Sequence, residues 1–306
     1  MKIFTQMTNL RTQFPNIAVA LGTFDGVHVG HQKIIQRVVQ LAQEMDGTSV
    51  VLTFNNHPLS IIDPKRCPLQ IVTAEDKTDL IQSLGVDVLL TIPFTPQFLK
   101  LSPSEFIAIL LENLKPTNIV IGPNYSFGYK STGTPEVLQQ AGLQYGFKVE
   151  VHQAVYVDDS VVSSTAIRQM IADGDVKAAT RFLGRPLRIR GKVITGEKRG
   201  RTLGYPTANL AITEGLAVPE DGVYAVHIYI ENTRYKGVAN VGTNPTFDDV
   251  NRRIEVYVLD FQGDLYGEFV AVDFWERIRG EIRFLSVDEL KTQIFHDIQI
   301  VREIIN

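Results

Sequence analysis

Two histidines three residues apart, His28 and His31, close the string GTFDGVHVGH that runs from Gly22 to His31. At the start of a helix this spacing sets both imidazoles on one face, at the positive end of the helix dipole. The glycines let backbone amides approach a phosphate closely. Two imidazoles so placed suit a polyphosphate undergoing substitution at its α-phosphorus, because they can donate hydrogen bonds to oxygens that gain charge in the transition state. No covalent nucleophile is required. Taken singly, a histidine near a helix start is more often a capping or surface residue, so the chemistry rests on the whole combination of strand, turn, histidine pair and helix.

A second concentration of chemistry is GEKRGRTLGYPTANL, from Gly196 to Leu210. It gathers glycines, the basic residues Lys198, Arg199 and Arg201, and small hydroxyl and amide side chains in a loop after a strand, a composition able to cradle phosphate and metal together. It is not a Walker loop, which requires the order GxxxxGK[ST]. The charges alone are equally well read as a solvated run.

The elements that must position these residues differ between the halves. From Ile17 short apolar runs alternate with longer helical stretches: IAVALG, HQKIIQRVVQLAQEM, SVVLTF, AEDKTDLIQSLG, VDVLLTI, then SPSEFIAILLENL into NIVIG and TPEVLQQAGLQYG into FKVEVHQAV. Such alternation predicts an α/β, doubly wound, Rossmann-like domain with a parallel sheet, and ligands bind such sheets at the carboxyl ends of the strands, where GTFDGVHVGH lies. A short helix capped by Asp175 runs through VKAATRFL to Gly184, followed by Arg185 and Pro186. That stop sets the expected domains at 1–183 and 184–306. Beyond it the pattern is two-residue alternation, in LRIRGKVI, GVYAVHIYI, TRYKGVANVG, RIEVYVLD and YGEFVAVDFW, with turns such as Gln262-Gly263-Asp264. Strands without intervening helices predict a small antiparallel β-barrel. A final helix is expected from Ser286, with Ser286 and Glu289 as a capping box and Val287, Leu290, Ile294, Ile298 and Val301 at helical spacing.

Bulk properties exclude several classes. With 44% hydrophobic and 21% charged residues the 306-residue chain is globular rather than disordered, and long enough for two cores. A net charge of −4 argues against a broad basic face for nucleic acid. The amino-terminal stretch lacks the apolar core of a secretion signal, no segment approaches a membrane span, and Cys67 has no partner for an internal disulfide. A cytoplasmic protein is expected, with weak self-association left open.

GTFDGVHVGH resembles the nucleotidyltransferase superfamily that bears the His-x-Gly-His signature, and within it the flavin-adenylylating branch. SSTAIRQMIADGDV resembles the superfamily's Ser-Ser-Thr-x-x-Arg motif. The resemblance implies ATP held by Gly22, Phe24, Asp25, His28 and His31 and by Ser163, Ser164, Thr165 and Arg168, with His28 and His31 catalytic. TFNNHP resembles a family segment in which His57 borders the site. GPNYSFGYKSTG resembles the loop that cradles flavin and adenine, which carries over to Asn124 and Phe127. Four positions depart from the family pattern: Asn56 stands where proline is usual, Asn124 for aspartate, and Ser126 and Ala166 where arginines are frequent. An amide in place of a carboxylate loses the negative charge and keeps an acceptor.

GEKRGRTLGYPTANL in turn resembles the riboflavin kinase signature. This implies a phosphate loop at Gly196, Lys198, Gly200, Arg201 and Thr207, and a divalent metal held by Thr207 and Asn209. GVYAV at Gly222, GVANVGTNPTF at Gly237, IEVYVLDF at Ile254 and RGEIRF at Arg279 follow in the order of that family. Glu255 resembles its catalytic glutamate, the proton acceptor that a neutral alcohol nucleophile benefits from. Arg279, Glu281 and Phe284 resemble its flavin-contacting segment. The resemblance covers nearly the whole chain and is to the bacterial bifunctional riboflavin kinase and FAD synthetase family. It implies riboflavin and ATP giving FMN, then FMN and ATP giving FAD with release of pyrophosphate, both with Mg²⁺, and small-molecule partners without nucleic acid or membrane. Two alternatives stay open at this stage: a riboflavin kinase joined to a weak or inactive adenylyltransferase domain, and a non-catalytic flavin or nucleotide sensor.

Overall fold

In the computed structural model residues 1–7, 9–196, 204–231, 233–243 and 252–305 are described. Contacts divide the chain into two units, Met1–Ser163 and Ser164–Asn306.

The first unit holds a parallel sheet in the order β1-β4-β3-β2-β5-β6. Its strands are β1 (Lys2–Phe4), β2 (Ile17–Leu21), β3 (Thr48–Phe54), β4 (Val88–Ile92), β5 (Asn118–Ile121) and β6 (Lys148–Val151). Every residue of β2 is buried, as expected for a central strand with both faces covered. The two-residue pleat sends Ile17, Val19 and Leu21 to one face and Ala18 and Ala20 to the other. On the alanine face pack α1 (Val29–Glu44), through Ile34, Ile35, Val38 and Leu41, and α3 (Ala74–Ser83), through Ile81. The opposite face takes Phe106, Ile107 and Leu110 of α5 (Pro103–Asn113) and Leu138 and Ala141 of α6 (Pro135–Tyr145). Short helical turns, α2 (Leu59–Ile62) and α4 (Pro96–Leu99), follow β3 and β4. A two-residue hairpin turn, Asp158-Asp159 with both φ positive, joins β7 (Tyr156–Val157) to β8 (Ser160–Val161). The doubly wound expectation holds, and β1 is an addition: its three residues pair in parallel with Val88, Leu89 and Leu90.

In the second unit a closed antiparallel barrel runs β10-β13-β12-β11-β14-β9. The strands are β9 (Leu187–Ile194), β10 (Thr207–Leu210), β11 (Gly222–Ile230), β12 (Thr233–Thr243), β13 (Arg252–Val258) and β14 (Phe269–Arg279). Alternation works as expected: Leu187, Ile189 and Val193 point into the core while Arg188, Arg190 and Lys192 do not. Register shifts between β11 and β14, at Val223/Tyr224 and Ala225/Val226, supply the bend that closure needs. The Thr207–Leu210 stretch, expected as the end of a loop, is a full barrel strand between β9 and β13.

Two helices precede the barrel, α7 (Ser164–Ala172) and α8 (Val176–Leu183). Asp175 caps α8 by accepting from Ala178 N at 2.9 Å, and Gly184 ends it in the left-handed region, in agreement with the sequence signals. The division by contacts falls before these helices, not after residue 183. The physical reason is that α8 is amphipathic, buries Val176, Ala179, Phe182 and Leu183, and packs on β14 and β9 of the barrel.

The final helix, α9 (Val287–Ile304), starts at Ser286, whose hydroxyl accepts from Glu289 N at 3.2 Å. The expected reciprocal bond is displaced: the Glu289 carboxylate accepts from Leu285 N rather than from Ser286. Ile298 and Val301 bury against Ala225 and Leu259, whereas Val287 is exposed because the first turn of α9 extends past the packed surface.

Candidate active sites

The signature turn leaves β2 through a strained backbone. Phe24 and Val27 adopt φ of 48° and 41°, and Gly26 between them 78°. A β-branched residue at positive φ is a costly conformation, of the kind that surrounding structure must enforce. Asp25 supplies part of that enforcement, its buried carboxylate accepting from Ile71 N at 3.1 Å. Thr53 Oγ1 donates to Thr23 O at 2.9 Å and ties the turn to β3.

Both histidines arrive at the start of α1, in unequal roles. His28 is the N-cap with extended φ and ψ, and its Nδ1 accepts from His31 N at 3.2 Å. This bond makes Nδ1 an acceptor and leaves Nε2 as the proton-bearing nitrogen of the neutral ring. His31 is stacked on His28, with ring centroids 3.5 Å apart and planes 16° from parallel, and Phe24 meets it edge-on at 5.3 Å. His31 Nδ1 is buried without a hydrogen-bond partner among the described residues. Burial, then the neighbouring His28 and Lys77, lowers its pKa well below the ordinary histidine value, so the ring is neutral at physiological pH. Gly30 admits this arrangement, since a Cβ there would lie 3.2 Å from the His28 ring.

Beside the turn is a small cavity lined by Thr23, Asp25, Phe54, Asn55, Asn56, His57 and Lys77 among others. His57 Nδ1 accepts from Leu59 N at 3.1 Å. Asn56, one of the departures from the family pattern, has a defined task. Its amide donates to Phe94 O at 3.0 Å and accepts from Phe94 N at 2.8 Å, extending the β3–β4 pairing by one side-chain rung. A proline could make neither bond.

The remaining expected residues of this site lie on other elements. Asn124 is exposed on the turn after β5. Phe127, expected in a ligand-cradling loop, is 7% exposed and belongs to the core, packed against Phe106 at 5.2 Å and Tyr125 at 5.7 Å. Its burial has a plain cause: Phe127 pairs with Gly133 across the loop, which turns the ring inward. Ser163 closes the first unit. Ser164, Thr165 and Arg168 lie on α7 in the second; Ser164, half-buried, shares the face of Ile167 and Ile171, Arg168 is half-buried beside it, and Thr165 is exposed.

The barrel builds its site from neighbouring strands. Asn209 of β10 pairs with Glu255 of β13, and Glu255 with Asn240 of β12, so three polar side chains stand in one row. Thr207 Oγ1 is 3.4 Å from Glu255 Oε2. Asn209 is 7% exposed and its Oδ1 is a buried acceptor with no partner among the described residues. A Cβ at Gly196 would collide with that carboxamide, so a larger residue there would displace the Asn209 side chain. Lys198, Gly200 and Arg201 lie outside the described residues.

Thr207, Asn240 and Glu255 also line a cavity of about 640 Å³, together with Tyr257, Arg279, Glu281 and Phe284. That volume suits a drug-sized organic molecule. Arg279 is less free than expected. Its guanidinium makes three bonds of 2.8–3.1 Å to Asp297 of α9, which is 2% exposed in its side chain, and lies over the Phe284 ring at 5.9 Å. Gln293 completes the group by donating to Asp297 at 2.9 Å. Arg279 therefore docks α9 beside the cavity. Nothing in the sequence singles out Asn240, Tyr257 or Asp297. A period-two pattern marks which residues face one way, and only pairing shows which of them meet.

Comparison with known proteins agrees with both halves. Residues 10–166 match the family model described as FAD synthetase and residues 183–305 the one described as riboflavin kinase. The bifunctional riboflavin kinase/FMN adenylyltransferase of Buchnera aphidicola subsp. Schizaphis graminum is 37% identical over 100% of this chain and 99% of its own. Those of Haemophilus influenzae and Escherichia coli are 35% and 34% identical, over at least 97% of each chain. A crystal structure described as a macrolide-efflux protein from Streptococcus pneumoniae superposes with a TM-score of 0.90 at 36% identity, over 99% of both chains. Among the described residues no helix is long and apolar enough to cross a membrane. With a histidine-bearing turn in one unit, a carboxylate in a barrel cavity in the other, and relatives named for both activities matching over nearly their whole length, the chain belongs to the bifunctional riboflavin kinase/FMN adenylyltransferase family.

Proposed function

We propose that Glu255, Thr207 and Asn209 carry the kinase reaction and that His28 and His31 carry adenylylation. The observation that supports this most directly is the pairing of Asn209 with Glu255 across β10 and β13, beside Thr207 and the large cavity. In the kinase step the terminal ribityl hydroxyl oxygen of riboflavin attacks the γ-phosphorus of ATP. A new P–O bond forms, the bond to the ADP oxygen breaks, and the hydroxyl proton passes to Glu255. Thr207 Oγ1 and the orphaned Asn209 Oδ1 are hard oxygen donors that fit Mg²⁺, which takes such ligands alongside substrate phosphates. When bound, the ion neutralises charge on the phosphate oxygens.

In adenylylation a phosphate oxygen of FMN attacks the α-phosphorus of a second ATP and pyrophosphate leaves. The attacking phosphate is already an anion near neutral pH, its second pKa being about 6, so no base is required. His28 donates from Nε2 and His31 from its ring to oxygens gaining charge. Gly22, Phe24 and Asp25 shape the turn, while Ser163, Ser164, Thr165 and Arg168 supply further phosphate contacts. His57 and Asn124 border the acceptor. In the kinase unit the phosphate loop is Gly196, Lys198, Gly200, Arg201 and Thr207, and Arg279, Glu281 and Phe284, which line the cavity, contact the flavin. The functional division is placed after residue 183, supported by the span of the kinase-family match, although contacts group 164–183 with the barrel. The enzyme acts in the cytoplasm, and weak self-association stays open.

A time course with riboflavin, ATP and Mg²⁺, separating FMN from FAD, tests both assignments. FMN rises first and FAD follows. In Glu255→Ala, FMN formation is lost while riboflavin binding persists; unchanged turnover in that variant would remove Glu255 from the mechanism.

A further inference from the structure

The turn that carries the histidines is held from an unexpected side. Lys77 sits in the first turn of α3, half-buried, at the positive end of that helix. Burial and the dipole both disfavour a cation there. Its ammonium donates to Phe54 O, the last residue of β3, at 2.7 Å and reaches Thr23 O, in the signature turn, at 3.4 Å. It lines the small cavity together with Asp25 and His57.

We propose that Lys77 is a positioning residue of the adenylyl-transfer site, its ammonium clamping the histidine-bearing turn to the end of β3. The proposal rests on the reading of His28 and His31 as that site. Thr23 O receives both Thr53 Oγ1 and Lys77 Nζ, which holds the strained segment ahead of Phe24, whose ring supports His31. The cation also stands near enough to His31 to oppose its protonation, and adds positive potential where a polyphosphate must settle. Among the described residues, the titratable groups that shift His31 are His28, stacked on it from the helix cap, and Lys77 from α3. Asp25 of the turn partly offsets the loss of charge that burial imposes on Lys77. Asp76, the neighbour of Lys77, accepts from Thr73 Oγ1 at the helix cap.

The test uses full-length Lys77→Met, Lys77→Gln and Lys77→Arg, with His31→Ala alongside. In Lys77→Met, kcat for FAD formation from FMN falls about tenfold or more, in the range caused by a small misplacement of catalytic groups. The KM for FMN stays within about twofold, as expected for an interaction that acts on the reacting geometry. NMR titration shows His31 protonating at higher pH than in wild type, and Lys77→Arg restores most of kcat and the wild-type titration. Should Lys77→Met be too unstable to assay, Lys77→Gln carries the same expectations. Unchanged kcat, or an unmoved His31 titration in the neutral variant, overturns the proposal. Retention of FAD formation in His31→Ala instead overturns the reading of the site beneath it.

Discussion

The two sites proposed to use ATP, the histidine-bearing turn and the barrel cavity, bring their side chains together by opposite means. In the barrel, Asn209, Glu255 and Asn240 meet because three adjacent strands are in register. Hydrogen bonding of the strands is enough to hold them. In the first unit, His28 and His31 come together through a turn with Phe24 and Val27 at positive φ, propped by Asp25, Thr53 and Phe24. The difference extends to protons. On the proposed assignment, a riboflavin hydroxyl must lose one, and the barrel presents a carboxylate; the FMN phosphate has already lost its own, and the turn presents imidazoles as donors. In that reading the chemistry that needs a base is placed on paired strands, and the chemistry that needs only charge stabilisation at a helix start.

Crossing the two sites by mutation breaks or sharpens this contrast. The largest effect is expected from Glu255→Gln, which should slow FMN formation by about 10²- to 10⁴-fold. FAD formation from supplied FMN should continue, and a parallel loss of both activities would contradict separate sites. His31→Ala should do the reverse, lowering FAD formation by about 10²-fold, the usual loss for one donor to a developing oxyanion, while FMN accumulates. An equal rate of FAD formation in that variant would leave the stacked pair without a role.

A smaller effect tests what frames the kinase cavity. Asp297→Asn keeps the shape of the side chain and removes the charge facing Arg279, with both partners largely buried. Breaking a buried pair on one side costs about 3 kcal/mol. Denaturant unfolding should show that loss together with weaker riboflavin binding, because Arg279 and Asp297 both line the cavity. An unchanged midpoint would show that the ion pair contributes little beyond its desolvation.

The smallest effect is shared by the two regions. His31 and, in the barrel, His227 both have pKa values below the ordinary one, each mainly through burial. In the unfolded chain they bind protons near a pH of about 6.5. The unfolded state therefore takes up more protons as pH falls through that value, and stability declines from about pH 7 toward about pH 5, with no contribution above about pH 7.5. His227 Nδ1 accepts from Trp275 Nε1 at 2.9 Å, which a glutamine oxygen can also do. His227→Gln should accordingly unfold with a shallower pH dependence than wild type over this window. An identical dependence in the two proteins would remove His227 from the acid response.

Local signals in the sequence are legible where the cause is local. Ile17–Leu21, the cap at Asp175, the stop at Gly184 and the start at Ser286 each depend on residues within a few positions, and each appears where expected. The histidine pair is visible for the same reason, because a helix start needs only its own residues. Thr207–Leu210 is hidden by its length and by the turn-like composition around it; its strand character comes from pairing with β9 and β13. The edge strand is equally silent, since Lys2–Phe4 becomes a strand only by adding to β4. Phe127 and Arg279 read as ligand contacts because an aromatic ring and a guanidinium fit a flavin. Their partners, Phe106 and Asp297, lie far enough along the chain that no spacing rule connects them.

The amino-acid sequence by itself determined the two kinds of architecture, their order and the chemistry each could perform, because periodicity, turn residues and reactive side chains are properties of short segments. Tertiary structure alone decided which of those side chains meet. It stacked His28 on a buried His31, brought Glu255 beside Thr207 and Asn209, assigned α7 and α8 to the barrel unit, and tied Arg279 to the last helix. Each of these depends on desolvation or on pairing between distant segments, and both exist only once the chain has folded.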